Sequence, residues 1–363
     1  MRLLLLLLLT VLAAAARACP PPFNNFRFAG NDTAALIQEA MLENGLGWTE
    51  AASHFQNPIQ PWPRDSDGIV RIKYCFATPD DRQNFKILID QAWNVWKTGI
   101  KNPGHSRGHR LIFQEFNWNP AVEWKYCYKD LAGGSTPANW NHGANLPTET
   151  IVIIGEDVGV FAQSTLGYTL PALNNAAGRH KVNIHPSAGG SGFSVPLLAH
   201  ELGHVWGLLH EHQRSDRDHY VHFECSNLVG YNQARQLVEQ QGQHTMDEVC
   251  TSETLGWKYN FAGPPNFSKE SRKSTYHGQD YVWHVAEGPF YDVASIMHYA
   301  SGHGFDASRQ EGNVQNHPLT MWKGRWPGFQ PPGQVTQDNS EIINLNYRVS
   351  NLDVFAVKHL YPW

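Results

Sequence analysis

The stretch HELGHVWGLLHEH, His200 to His212, gathers imidazoles and carboxylates at spacings that could hold a metal ion. On a helix His200 and His204 emerge one turn apart on one face. Two imidazoles so placed can reach the same tetrahedral ion. Glu201, next to the first of them, can reach a water at that ion without ligating it. Gly207 can adopt a left-handed conformation that ends the helix, letting His210 swing back as a third ligand. The bland alternative is a histidine-rich helix in a chain with 19 His. HExxH alone does not exclude it, but a chance match to HExxHxxGxxH is on the order of one in several thousand. Structural zinc is usually closed by four protein ligands. Three ligands with a carboxylate beside an open position instead indicate hydrolysis. His212, His298 and His303 fall near these motifs, but nothing in their spacing demands a metal; they read as neighbours of the site or surface residues.

The elements that must position these groups are legible in patches. Val70, Ile72, Tyr74 and Phe76 alternate with Arg71, Lys73 and Cys75, which predicts a half-buried strand. Thr78-Pro79-Asp80-Asp81 supplies a cap, a first-turn proline and acids at the positive end of a helix reaching about Gly99. Further strands are expected at 110–116, 122–128, 150–155 and 181–185. Ser194 is a candidate cap for the helix of the histidine motif, with Pro196 in its first turn. One more helical stretch is expected near Asn227–Val249, followed by long Gly/Pro-rich segments. The fold class expected is α+β, a mixed sheet with two helices packed against it.

These residues resemble the astacin family of zinc metalloproteases in the metzincin clan. HExxHxxGxxH is that clan's zinc signature, and Glu211 after the third His is characteristic of the astacin branch. The following HQRSDRDHYV (212–221) is similar to the family's continuation, and YDVASIMHY (291–299) to its Tyr-Asp-x-x-Ser-[Ile/Val]-Met-His-Tyr segment. VSNLDVFAVKHLY (349–361) resembles its closing helix, and WPRDSDGIVRIKYCF (62–76) its opening strand more loosely. The family's Cys-Trp-Ser-x-x-Gly strand has its counterpart at Ala162–Gly167, without the Cys, so the disulfide pattern must differ. The resemblance spans roughly residues 62–361. It implies a metzincin-like mixed twisted sheet, two long helices in the N-terminal half, an irregular C-terminal half, and an active-site cleft between the halves. It implies one Zn2+ on His200, His204 and His210, with Glu201 as general base. Met297 would lie in a turn beneath the zinc. Tyr299 would match the family tyrosine that contacts the metal and swings to support the tetrahedral intermediate. The implied function is a zinc-dependent endopeptidase acting on protein or peptide substrates as a monomer. A catalytically silent relative that only binds partners would have lost Glu201 or a ligand, and neither is lost.

Composition and processing signals set the compartment. A formal charge of -5 offers no basic surface for nucleic acid, and no Lys/Arg run suits an anionic membrane. Arg2, the apolar run after it and Ala16-Arg17-Ala18 predict a secretory signal over 1–18, hence a secreted, extracellular protein. A lipoprotein signal ending at Cys19 is the rival, and Arg17 suits it badly. Export permits disulfides, and Cys75–Cys127 with Cys225–Cys250 is the favoured pairing, leaving Cys19 over. Asn31 and Asn266 head glycosylation sequons. Residues 19–60 read as a propeptide or N-terminal extension, and 61–363 as the catalytic domain. The family's propeptides place an Asp of a Phe-x-Gly-Asp motif at the zinc. Phe28-Ala29-Gly30-Asn31-Asp32 approaches that motif with Asp32 one place late. The closing-helix resemblance runs to the end of the chain, so no appended domain is expected.

Overall fold

The computed structural model describes Thr49–Glu50 and residues 59–363, except 119–120, 159, 173, 191–193, 270–272, 277–278, 283–285, 289 and 327. The signal segment, Cys19, the Asn31 sequon and Asp32 lie outside the described residues.

The N-terminal half is built on strands Thr49–Glu50 (β1), Ile59–Gln60 (β2), Val70–Phe76 (β3), Leu111–Glu115 (β4), Ile151–Gly155 (β5), Ala162–Ser164 (β6), Tyr168–Thr169 (β7) and Lys181–Ile184 (β8). Two helices join them, Pro79–Ile100 (α1) and Ser194–Trp206 (α2). The main sheet runs β4-β3-β5-β8-β6, with the first four strands parallel and β6 antiparallel at one edge. Alternation along β3 sorts its residues between two cores. Val70, Ile72, Tyr74 and Phe76 join the core with α1 and α2, while Cys75 faces a second cluster with Cys127, Tyr128 and Trp140. Thr78 caps α1 by accepting from the Asp81 N–H at 3.1 Å. Helix α1 then buries Phe85, Ile89, Ala92, Trp96 and Ile100, the i, i+4, i+7, i+11, i+15 stripe of an amphipathic helix.

Helix α2 packs into the same core and is also held through its own carbonyls. The indole N–H of Trp96 donates to Ala199 O (2.7 Å), that of Trp62 to Val205 O (2.8 Å), and the Tyr361 hydroxyl to Trp206 O (2.6 Å). Ser194 opens this helix, and its hydroxyl donates to Ala188 O at 2.6 Å.

The C-terminal half is short-segmented. It comprises strand Val221–Phe223 (β9) and helices Tyr231–Gln241 (α3), Met246–Thr251 (α4), Glu253–Lys258 (α5) and Gly263–Phe267 (α6). Strands Lys273–Tyr276 (β10), Gln279–Val282 (β11), Ala286–Glu287 (β12), Leu319–Trp322 (β13) and Ser340–Glu341 (β14) follow, then helix Asn351–Leu360 (α7). The fold is therefore α+β, with a mixed sheet, two long helices and an irregular remainder. Among the described residues no helix is long and apolar enough to cross a membrane.

Two expectations need correction. Residues 122–128 form no strand; only an isolated bridge links Tyr128 to Trp140. Three of their carbonyls accept from side chains, Trp124 O and Tyr126 O from Asn141 Nδ2 and Tyr128 O from Trp124 Nε1, while Cys127 bonds through its backbone to Phe76 O and the Asn141 N–H. The single helix expected near Asn227–Val249 is broken at Gly242, whose φ of 59° is left-handed, and restarts at a capping box made by Thr245 and Glu248.

Both favoured disulfides are present, Cys75–Cys127 and Cys225–Cys250, closing separations of 52 and 25 residues. Non-reducing peptide mapping should return these two pairs. Replacing both Cys75 and Cys127 by Ala should cost about 4 kcal/mol of unfolding free energy, as chain entropy gives for a loop of that length. A mapped Cys75–Cys225 bridge would contradict this architecture.

Candidate metal centre and its supports

Helix α2 ends where the sequence pattern requires. Gly207 has φ 108°, its N–H donates to His204 O (2.8 Å), and the Leu208 N–H donates to Gly203 O (3.0 Å). The chain then reverses, and His210 turns back toward the helix. Its Nε2 lies 3.1 Å from both His204 Nε2 and His200 Nε2. The ligating atoms of the three histidines all lie within 4.8 Å of one another. Among the described residues this is the one His/Cys/Asp/Glu group so arranged.

The opposite ring nitrogens decide what these atoms are. His200 Nδ1 donates to Ile296 O (2.8 Å) and His204 Nδ1 to Leu208 O (2.7 Å). His210 Nδ1 donates to Gln213 Oε1 (2.9 Å), and that amide is oriented by its NH2 donating to Pro265 O and Ser268 O. Each Nδ1 therefore carries the proton, and each Nε2 presents a lone pair to the other two. Three buried acceptors facing one another with no donor between them suit a cation. The set fits zinc, which takes neutral imidazoles backed by such hydrogen bonds. Burial, the largest cause, holds all three well below the usual histidine pKa, His204 at about 4.

Glu201 is buried in α2 beside the first histidine. Ser164, on edge strand β6, donates its hydroxyl both to Glu201 Oε2 (2.8 Å) and to Glu201 O (2.9 Å), fixing the side chain relative to its own helix. The family resemblance placed Ser164 on the strand bordering the site but gave it no role.

Residues 174–263 match the family model of Astacin, a family of peptidases. This segment is astacin-like. The chain is also similar to the solved structure of high choriolytic enzyme 1, a hatching enzyme zinc-protease from Oryzias latipes (medaka fish). That likeness has 16% identity and a TM-score of 0.41 over 83% of this chain and 94% of that one. Similarity to myroilysin has 14% identity and a TM-score of 0.38, over 87% of this chain and 98% of that one. No curated protein matches the chain.

The astacin-like segment holds the three histidines and Glu201 but stops short of Met297 and Tyr299, which the fold brings in from the C-terminal half. A Cβ on Gly203, one residue before His204, would sit 2.2 Å from Met297 Sδ, so only glycine admits the methionine against the helix there. The backbone around Met297 is gripped from two sides. The Glu211 N–H donates to Met297 O (3.1 Å). Asp353 of α7 accepts from Ile296 N (2.9 Å) and from Ser295 Oγ (2.6 Å). Because Ile296 O is the acceptor for His200, Asp353 is linked to the metal ligand through one residue's backbone. Tyr299 is fully buried, with its ring centroid 4.6 Å from that of His210. Neither Asp353 nor Gln213 was singled out by sequence, although both lie in stretches that resemble the family's.

Glu211 is buried too, and burial raises its pKa to about 8 against the lowering influence of Arg214. Its carboxylate accepts from Asp292 N (2.9 Å) and lies 3.6 Å from Arg214 Nη1. Arg214 is the cation beside it, and that guanidinium also forks onto Asp216 (2.9 and 3.0 Å). Asn266 is also buried, with its NH2 donating to Ala262 O.

Gln213→Ala removes the acceptor that holds His210 in its ligating tautomer. Zinc affinity measured against a competing chelator should fall roughly 10- to 100-fold. An unchanged affinity would show that Gln213 does not orient the ligand.

Proposed function

We propose that the protein is a secreted zinc-dependent endopeptidase whose hydrolysis is assisted by Glu201. The observation that carries this reading is the set of three inward-facing imidazole lone pairs with a buried carboxylate on the next residue of the same helix. The match of residues 174–263 to a peptidase family supports it.

His200, His204 and His210 would hold the ion as neutral ligands. Zinc so bound supplies Lewis acidity, polarising a carbonyl and acidifying water. The chain's own residues supply the proton transfers. Glu201, oriented by Ser164, takes the proton from the attacking water and passes it to the departing amine. The Tyr299 phenol donates a hydrogen bond to the carbonyl oxygen as charge develops there. Met297 supports the helix beneath the ligands and does not ligate. Residues 1–18 would direct export, 19–60 would be a removable prosegment with Asp32 as a candidate latency residue, and 61–363 would form the catalytic domain.

Glu201→Gln should retain metal and fold yet lose turnover by on the order of 10²–10⁴-fold on a casein-type substrate. Near-normal turnover in a verified preparation would refute the assigned base. The maturation reading has its own check. The Trp62 indole donates to Val205 O of α2, so an active form that keeps this contact starts between Asn44 and Trp62. N-terminal sequencing of fully active protein that still begins at Cys19 would contradict it.

A further inference from the structure

The ring of Tyr299 is flanked by two imidazoles whose sequence positions suggested no role. His212 stacks on it with centroids 4.1 Å apart and planes 25° apart, and His303 with centroids 4.4 Å apart and planes 12° apart. Two rings that each stack so closely on one phenol ring would overlap if they shared a face, so they take opposite faces. His210, tilted at 4.6 Å, and Phe267, edge-on at 5.5 Å, close the sides.

Both imidazoles are themselves fixed. His212 Nε2 donates to Asn266 O at 2.8 Å. His303 Nδ1 accepts the Ala300 N–H at 3.0 Å, and the His303 N–H donates to Ala300 O at 3.0 Å, so the side chain closes the turn that follows Tyr299. The phenol ring therefore sits in a slot whose two walls are tied to backbone, and its face cannot rotate unless one wall moves.

We propose that His303, with His212 opposite, is a positioning residue that clamps the Tyr299 ring. The phenol thereby keeps a fixed ring face beside His210 of the three-histidine centre. The functional half of this inference rests on the reading of Tyr299 as a catalytic donor; the clamp itself rests on the stacking geometry alone.

Two substitutions separate stacking from turn closure. His303→Phe keeps a flat ring against Tyr299 but loses the acceptor for Ala300. His303→Asn keeps an acceptor near that position and loses the ring. The first readout is nuclear magnetic resonance of the metal-free full chain carrying tyrosine labelled with carbon-13 at the ring ε carbons. The Tyr299 signals are assigned by their loss in Tyr299→Phe. The wild type should show two resolved ε signals, the mark of a ring that does not flip on the shift timescale. His303→Phe should keep the pair, and His303→Asn should merge it into one. The second readout is kinetic, on the zinc-loaded protein. His303→Asn should lower kcat roughly 10- to 100-fold with KM within about twofold, as expected of a misplaced transition-state donor, and His303→Phe should restore it. A single averaged signal in the wild type overturns the clamp and leaves the proposed hydrolysis standing. Loss in His303→Phe with retention in His303→Asn overturns it too, because turn closure would then be what matters. Two resolved signals together with a fully active Tyr299→Phe would remove the tyrosine from catalysis and with it the functional half.

Discussion

Three imidazole nitrogens without protons face one another in the interior of this protein, that of His210 3.1 Å from each of the other two, and most of the site exists to keep them there. Neutral acceptors so close repel unless a cation lies among them, so the arrangement must be enforced from behind. Each ring is tied by its other nitrogen to a different segment: the turn after α2 through Leu208, the loop before Met297 through Ile296, and the Gln213 amide held under α6. Loss of any one anchor frees a ring to rotate its lone pair away. Directional hydrogen bonds, more than apolar packing, define the centre.

These anchors join the two halves of the chain. The sheet half supplies α2, edge strand β6 and Ser164, while the C-terminal half supplies Ile296, Met297 and Tyr299. Helix α7 ties the two together. Its apolar residues Ala356, Val357 and Leu360 pack into the core shared with α1 and α2. Its first turn reaches the loop before Met297. Asp353 completes a capping box with Ser350 and also binds Ser295 and Ile296, so one carboxylate serves as helix cap and loop clamp. Burial, followed by the nearby Asp292, raises Asp353 to about 6, opposed by the hydrogen bonds it accepts.

Periodic features and fixed-spacing motifs were legible in the sequence; contacts across the chain were not. The alternation of β3, the capped start of α1 and the ligand spacing on α2 are local, and each appears in the fold. The 122–128 segment read as a strand because its residues alternate. Two of its carbonyls are claimed by Asn141, 17 and 15 residues away, and no local pattern announces such a partner. The break at Gly242 is visible as a glycine, yet the helical spacing on either side of it favours one continuous helix. Ser164 lies 37 residues from Glu201 and Asp353 lies 57 from Ile296, so both pairings are settled by tertiary packing. His303 and His212 belong to the same class. Neither spacing nor composition distinguishes a histidine that stacks on Tyr299 from one at the surface.

The central claim is that His200, His204 and His210 together form one three-nitrogen zinc site. Zinc K-edge X-ray absorption on the purified protein tests it most directly. One zinc per chain should be found with three imidazole nitrogens at roughly 2.0–2.1 Å and oxygen completing the shell. His204→Ala should then reduce the imidazole scattering or abolish zinc retention. A sulfur ligand, a closed four-imidazole shell, or zinc retained unchanged in His204→Ala would contradict the account.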